Sequence, residues 1–181
     1  FWNEPDLEWI YQEKCKEFLE NKFKLENNNL LTTSNLVDLG SGKGHAIIRF
    51  SYDWNFNKII GVELNPEYYQ ICLDNIKKIK DNSNDIINTM IEVKNMNATD
   101  FNFTPDINFL YLFNPFGAKT LESVVLNLIS SLKQYPREFY IIYRNAIHLD
   151  IFHKYNFVDI LRLDDVACVI LKLDQSINSS R

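Results

Sequence analysis

Glycine and proline are scarce here, with five of each in 181 residues. That excludes a collagen-like or low-complexity chain and makes any cluster of either residue informative. Cysteine is scarcer still, with three, Cys15, Cys72 and Cys168. Their number is odd, their spacing is wide and none forms a CxxC pair, which predicts free thiols in a reducing, cytoplasmic setting. No apolar run approaches the roughly 18 residues that a membrane span needs, and no signal-peptide pattern is present. The chain opens Phe1-Trp2-Asn3 rather than on Met, which leaves room for upstream sequence. Cations are outnumbered, 19 Lys and Arg against 24 Asp and Glu, for a net charge of -5. Such a balance argues against non-specific duplex binding, which relies on rows of cations over phosphates. His45, His148 and His153 lack the spacing of metal ligands, so no metal site is expected.

What the chain has is apolar material. Hydrophobic residues make up 46% and aromatics 14%, including 13 Phe and 9 Tyr, enough for one packed core. The stripe Leu7, Ile10, Tyr11, Cys15, Phe18 and Leu19 predicts a helix over 5–23. Strands are expected at Asn35–Leu39, Lys58–Leu64, Met90–Val93, Ile107–Phe113 and Phe139–Tyr143. Helices are expected at His45–Tyr52, from Pro66 through Ile79, at Thr120–Gln134 and at His148–Tyr155. Phe157–Leu163 and Ala167–Leu173 are separated by too few residues for a crossover helix, so they should pair as an antiparallel hairpin. This alternation predicts an α/β fold. Its sheet is doubly wound, mostly parallel and seven-stranded, with a C-terminal antiparallel hairpin and helices on both faces. The expected divisions are a helical cap and lead-in over 1–34, a ligand-binding domain over 35–174 and a tail over 175–181. In such sheets ligands bind beyond the carboxyl ends of the strands, where the winding reverses.

The string Val37-Asp38-Leu39-Gly40-Ser41-Gly42-Lys43-Gly44 joins a strand directly to a helix. Alternate glycines permit a sharp turn and close approach of a ligand to the backbone, and the helix start favours a carboxylate. The spacing is GxGxG rather than the GxGxxG of dinucleotide binders, and no GxxxxGK phosphate loop exists. Asp38 suits a ligand carrying an ammonium or sulfonium better than a pyrophosphate. Glu63 ends the second strand, where a carboxylate can accept hydrogen bonds from two ribose hydroxyls. Asn114-Pro115-Phe116 follows the fourth strand. Proline there restricts Asn114, and the amide and carbonyl oxygens can accept from an amine or amide nucleophile, with Phe116 covering a flat acceptor.

These strings, with Gly61-Val62-Glu63, Asn97-Ala98-Thr99-Asp100-Phe101 and Phe113-Asn114-Pro115-Phe116, strongly resemble the class I, Rossmann-like S-adenosylmethionine-dependent methyltransferases. The resemblance runs from about Asn35 to Leu173, and within the class it is to small bacterial members with Asn-Pro-Phe after strand four. It implies S-adenosyl-L-methionine as cofactor, with Gly40, Ser41, Gly42 and Gly44 cradling the methionine part and Asp38 near its ammonium. It further implies Glu63 on the ribose and Asn97 with Ala98 at the adenine. Asn97 replaces an Asp common in the family but keeps an oxygen acceptor. Asn114, Pro115 and Phe116 would place the acceptor, although the string lacks the second proline of the Asn-Pro-Pro-(Tyr or Phe) signature.

The expected activity is therefore methyl transfer to an unidentified acceptor, a nitrogen nucleophile on a protein or small molecule ahead of a nucleic acid. A cofactor-binding scaffold or regulatory subunit without catalysis, and an NAD-dependent oxidoreductase, rank behind it. No membrane partner is expected. Arg144, at the end of strand five, suits either an acidic acceptor or a salt bridge.

Overall fold

A computed structural model describes residues 7–26, 28–82 and 89–174. The expectations placed on Pro5, on the Tyr11 side chain, on 83–85 and on the tail from 175 lie outside the described residues.

Helix α1 (Leu7–Leu25) and a single turn, α2 (Leu30–Thr33), lead into strand β1 (Asn35–Leu39). Then follow α3 (His45–Asp53), β2 (Lys58–Glu63), α4 (Pro66–Asn82), β3 (Met90–Asn95) and β4 (Ile107–Phe113). The chain closes with α5 (Ala118–Gln134), β5 (Tyr140–Arg144), α6 (Leu149–Lys154), β6 (Phe157–Leu163) and β7 (Cys168–Leu173). The strands form one seven-stranded sheet in the order β3-β2-β1-β4-β5-β7-β6. Five strands are parallel, while β7 pairs antiparallel with both β5 and β6. The doubly wound sheet with its terminal hairpin is thus the architecture that the alternation of patterns predicts.

One crossover departs from that alternation. Between β3 and β4 there is no packed helix, only a 3-10 turn at Ala98–Asp100. Phe101 and Phe103 are buried in this stretch and stack edge to face, 5.2 Å apart. They fill the space with rings instead. Earlier in the chain, α4 runs on to Asn82, past the start of the loop expected from Asp81.

Period-two alternation divides the core in two. Val37, Leu39, Leu110, Leu112, Ile141 and Tyr143 face α5 and α6. Leu36, Ile59, Phe109, Tyr111, Tyr140 and Ile142 face α1, α3 and α4. Helix α5 buries Leu121, Val124, Val125, Leu128 and Leu132, a stripe spaced to keep one face inward. Arg137 secures its far end, donating to the carbonyls of Ile107 and Tyr135 at 2.9 Å each. Among the described residues no helix is long and apolar enough to cross a membrane.

Two local devices set the strand ends. At the amino edge β4 carries an extra residue relative to β1, since Asn35 pairs with Ile107 and Leu36 already with Phe109. The bulged residue is Asn108, buried yet satisfied. Its amide accepts from the Ser34 hydroxyl at 3.0 Å and donates to the Glu138 carbonyl at 2.8 Å. At the other edge Gly44 caps α3 with φ +85, and a Cβ there would lie 2.4 Å from Cys72 Sγ on α4. This glycine lets the loop lie against the helix.

Gly44→Ala should therefore lower the free energy of unfolding by about 2–3 kcal/mol, combining left-handed strain with overpacking. In a Cys72→Ala background the same change should cost only about 1–2 kcal/mol, because the clash is gone and the strain remains. Urea unfolding of the four variants of the cycle measures both numbers, and equal costs in the two backgrounds contradict the packing account.

Candidate active site

The winding reverses at β1. Its outgoing helix α3 packs on one face of the sheet, whereas α5, leaving the neighbouring β4, packs on the other. Such a switch point opens a crevice at the carboxyl ends of the two strands. The backbone around it is held by the neighbouring strand: Gly40 and Ser41 both donate to the carbonyl of Val62, at 2.8 and 3.0 Å.

Glu63 binds the loop directly. Its Oε2 accepts from the Gly42 amide at 2.8 Å and its Oε1 from the Asn65 amide at 2.8 Å. A carboxylate has about four acceptor sites, so two backbone bonds leave lone pairs for further donors such as hydroxyls. The half-buried carboxylate thus faces both the glycine turn and the start of α4. Asn65 caps that helix, its Oδ1 accepting from the amide of Glu67 at 2.8 Å.

Gly40 meets the Asn-Pro-Phe corner. A Cβ on Gly40, where φ is +84, would sit 2.5 Å from Pro115 Cβ. The loop after β1, the carboxylate after β2 and the corner after β4 consequently share one edge. Gly42, at φ +54, has nothing within 4 Å in the direction of a Cβ. Two buried oxygens here have no protein partner, Ser41 Oγ and Asn114 Oδ1. Asn114 itself adopts φ +40, a left-handed conformation that asparagine tolerates. Phe116 is half-buried and packs on the core beneath α5.

Asp38, 3% exposed, lies in register with Gly61 and Tyr111 on the flanking strands. Burial, then the negative charges of Asp38 and Glu63, push the Cys72 thiol up to about 12. The thiol behind the loop therefore stays neutral at physiological pH, and both carboxylates lie within its electrostatic reach.

The stretch after β3 approaches from the side. Asn95 donates to the carbonyls of Glu63 and Leu64 at 2.8 and 3.0 Å, holding it to the end of β2. Asn97 Oδ1 accepts from the Thr99 amide at 3.0 Å and caps the 3-10 turn, in which Ala98 is buried. The Asn97 oxygen is thus partly committed to its own backbone. Met96 packs against the core. His45 is exposed at the head of α3, His148 precedes α6, and His153 pairs with Asp159 at 2.7 Å away from the site. Among the described residues no cluster of three or more His, Cys, Asp or Glu is placed to hold a metal.

Phe113 opens the Phe-Asn-Pro-Phe string, yet nothing in the sequence gives it a role of its own. This last residue of β4 is 49% exposed, sits in register with Arg144 and carries its guanidinium 4.5 Å from the ring centroid. The pair forms a cation-aromatic shelf beside Asn114. Strand ends alone could have suggested it, but only with the β4–β5 register in hand. A cavity of about 750 Å³ lies elsewhere, beyond the far end of α5 near Lys133, Arg137 and Tyr155, and has no part in this edge.

No family model matches the chain, and no curated protein sequence matches it. Solved structures do. A protein of the NADB-Rossmann superfamily from Streptococcus agalactiae is 17% identical with a TM-score of 0.54, the match covering 78% of this chain and 61% of that one. This chain therefore spans about three fifths of the streptococcal protein's length. Magnesium protoporphyrin IX methyltransferase from Synechocystis, solved with bound S-adenosylmethionine, is 10% identical with a TM-score of 0.57, covering 90% and 79%. The methyltransferase domain of bacterial CtHen1 is 13% identical with a TM-score of 0.55, covering 87% and 96%. At such identities the likeness is one of architecture, and the chain has the Rossmann-like fold that these proteins share.

Proposed function

We propose that the chain binds S-adenosyl-L-methionine at the glycine loop and transfers its methyl group to a nitrogen nucleophile on a protein or small molecule. The observation that carries this reading is the meeting of three strand ends, with Glu63 hydrogen-bonded to Gly42 and Gly40 packed on Pro115. The neighbouring solved methyltransferase with S-adenosylmethionine in place lends support through a shared fold.

The residues present fit the cofactor. Open space at Gly42 would admit the methionine part, the unpartnered Ser41 hydroxyl could bond its polar groups, and buried Asp38 supplies negative charge to an ammonium. Glu63 retains lone pairs for ribose hydroxyls. Ala98 and the second lone pair of Asn97 lie on the side proposed for the adenine. Gly44 serves the site from behind, by letting the loop close on α4.

The cofactor supplies a methyl already activated by its sulfonium, with a neutral thioether as leaving group. What this chain must add is position. Asn114 Oδ1, buried and without a protein partner, can accept an N–H from the incoming amine and so aim the nitrogen lone pair. Left unpaired, such an oxygen costs about 1–3 kcal/mol, a cost that a bound donor offsets. Exposed Phe113 and half-buried Phe116, which flank Asn114 in sequence, would offer flat surface to the acceptor. Holding nucleophile and methyl in line supplies a large share of the rate enhancement, because translational and rotational freedom is lost on binding rather than in the reaction.

Titration calorimetry tests the cofactor assignment: S-adenosylmethionine and S-adenosylhomocysteine should bind, and NAD should not. Gly42→Ala should weaken S-adenosylhomocysteine binding by at least about tenfold, about 1.4 kcal/mol, since its methyl enters ligand space. Unchanged affinity in a folded Gly42→Ala chain removes the loop from the site. For the acceptor, methyl-labelled cofactor incubated with fractionated protein and small-molecule pools should label one of them. Asn114→Ala should reduce that labelling by about 100-fold while S-adenosylhomocysteine affinity stays within about twofold. Cofactor binding with no labelled acceptor in any pool supports a non-catalytic scaffold instead.

A further inference from the structure

Cys15 and Cys168 stand 153 positions apart in the chain, yet their sulfurs lie 3.7 Å from each other in the core between α1 and β7. Both are free thiols and both are buried. The elements carrying them are also held together elsewhere. Lys14 pairs with Asp165 in the turn between β6 and β7, and Phe23, two helical turns along, meets Tyr140 at the start of β5 edge to face at 5.3 Å. Helix α1 therefore runs antiparallel to the parallel strands, with its Cys15 end at the carboxyl edge of the sheet. Cys168 lies in register with Arg144, the last residue of β5. A cavity of about 270 Å³ opens beside it, lined by Asn145, Ile147, Arg162 and Cys168. Neither thiol has any part in the methyl transfer proposed above.

We infer that Cys15 and Cys168 form an oxidation site, at which a two-electron oxidant of the peroxide class, entering by the cavity at Cys168, joins α1 to β7 through a disulfide. In the first step the Cys168 sulfur attacks a peroxide oxygen. The O–O bond breaks, leaving a sulfenic acid on Cys168 and releasing water. In the second step the Cys15 sulfur attacks the sulfenic sulfur, so that an S–S bond forms, the S–O bond breaks and a second water leaves. Two thiols are oxidised to one disulfide, and hydrogen peroxide is reduced to two waters.

The order of attack follows from the surroundings. The cavity reaches Cys168, whereas Cys15 is held far above the ordinary thiol range by its hydrogen bond with Cys168 and then by burial. A thiol so protonated is a poor first nucleophile. A sulfenic acid at 3.7 Å gives it a partner at very high local concentration. The bond requires a sulfur separation of about 2.05 Å, so helix and strand must close by a little under 2 Å. Side chains join α1 to the sheet, which leaves the helix room to settle by that amount. From Cys15 the helix continues eight residues back to Leu7, about 12 Å at 1.5 Å per residue. The link would anchor the helical turns that stand beyond the carboxyl edge, on the side of the candidate site.

The test uses the whole chain, treated with hydrogen peroxide, then denatured and alkylated, with thiols counted by mass spectrometry. Alkylated thiols should fall from three to one, the remaining one being Cys72. The product should migrate as a single chain, and dithiothreitol should reverse the change. Its thermal midpoint should rise by about 5–10 °C, as expected for a cross-link that closes a long loop. Cys168→Ser should keep both remaining thiols, Cys15 and Cys72, alkylatable through the same treatment. Cys15→Ser should keep only Cys72, with Cys168 trapped by dimedone as the unresolved sulfenic acid. Neither variant should show the rise in midpoint. Three thiols remaining in the treated native sequence, a link between chains, or sulfinic acid at Cys168 in place of the disulfide overturns the inference. Since the readout is a thiol count, this result is independent of whether the chain transfers methyl groups.

Discussion

The carboxylate of Glu63 is shared between two stretches of backbone that no strand pairing would hold together. One oxygen takes the Gly42 amide of the loop after β1, and the other takes the Asn65 amide of the turn into α4. Hydrogen bonds to a charged acceptor are worth about 1.5–3 kcal/mol each, more than most contacts available to an irregular loop. The main chain of Glu63 extends the same joint sideways, its carbonyl accepting from the amide of Met96 and the side chain of Asn95. One residue thereby fixes the glycine turn, the head of α4 and the exit of β3 relative to one another. Every group proposed to touch the cofactor lies on a segment tied to this joint or to β1 itself.

The three glycines of the loop divide the work between them. Gly40 makes room for Pro115 and Gly44 for Cys72, so both exist for packing, one toward β4 and one toward α4. Gly42 alone faces open space. The loop is thus clamped on two sides and bare on the third. Rigid backbone presenting amides and an empty face is the arrangement that a preorganised ligand site requires. The neutral Cys72 thiol beneath the loop completes this clamp without adding a third negative charge to those of Asp38 and Glu63.

Much of the architecture could be read from the sequence because both periodicities are strong. The bounds of β1, β4 and β6 coincide with the patterns that predict them, and the short connection at Asp164-Asp165 forces the hairpin. Other features carry no such signal. The missing helix between β3 and β4 is a matter of volume, since Phe101 and Phe103 read equally well as strand or loop until their burial is known. Asn97 reads as a ligand contact from its place after β3, but the amide two residues on competes for the same oxygen. Phe113 with Arg144, and Cys15 with Cys168, are meetings across strand register or across the whole chain, and no local pattern contains them. That the ends of β1, β2 and β4 meet at one edge follows from the parallel alternation, but the packing of Gly40 on Pro115 and the bond from Gly42 to Glu63 do not.

The bulge at Asn108 reaches further than the amino edge where it sits. In a pleated strand the addition of one residue reverses which side chains face each side of the sheet from that point on. Asn108 therefore sets the phase of β4, turning Tyr111 toward α3 and Leu112 toward α5. Asn114 lies six positions downstream, about 20 Å away at 3.3 Å per residue. A ring of amide contacts with Ser34 and Glu138 at one rim of the sheet thus acts as a vernier for the opposite rim, deciding at what height and with which handedness the chain leaves the strand beside the glycine turn.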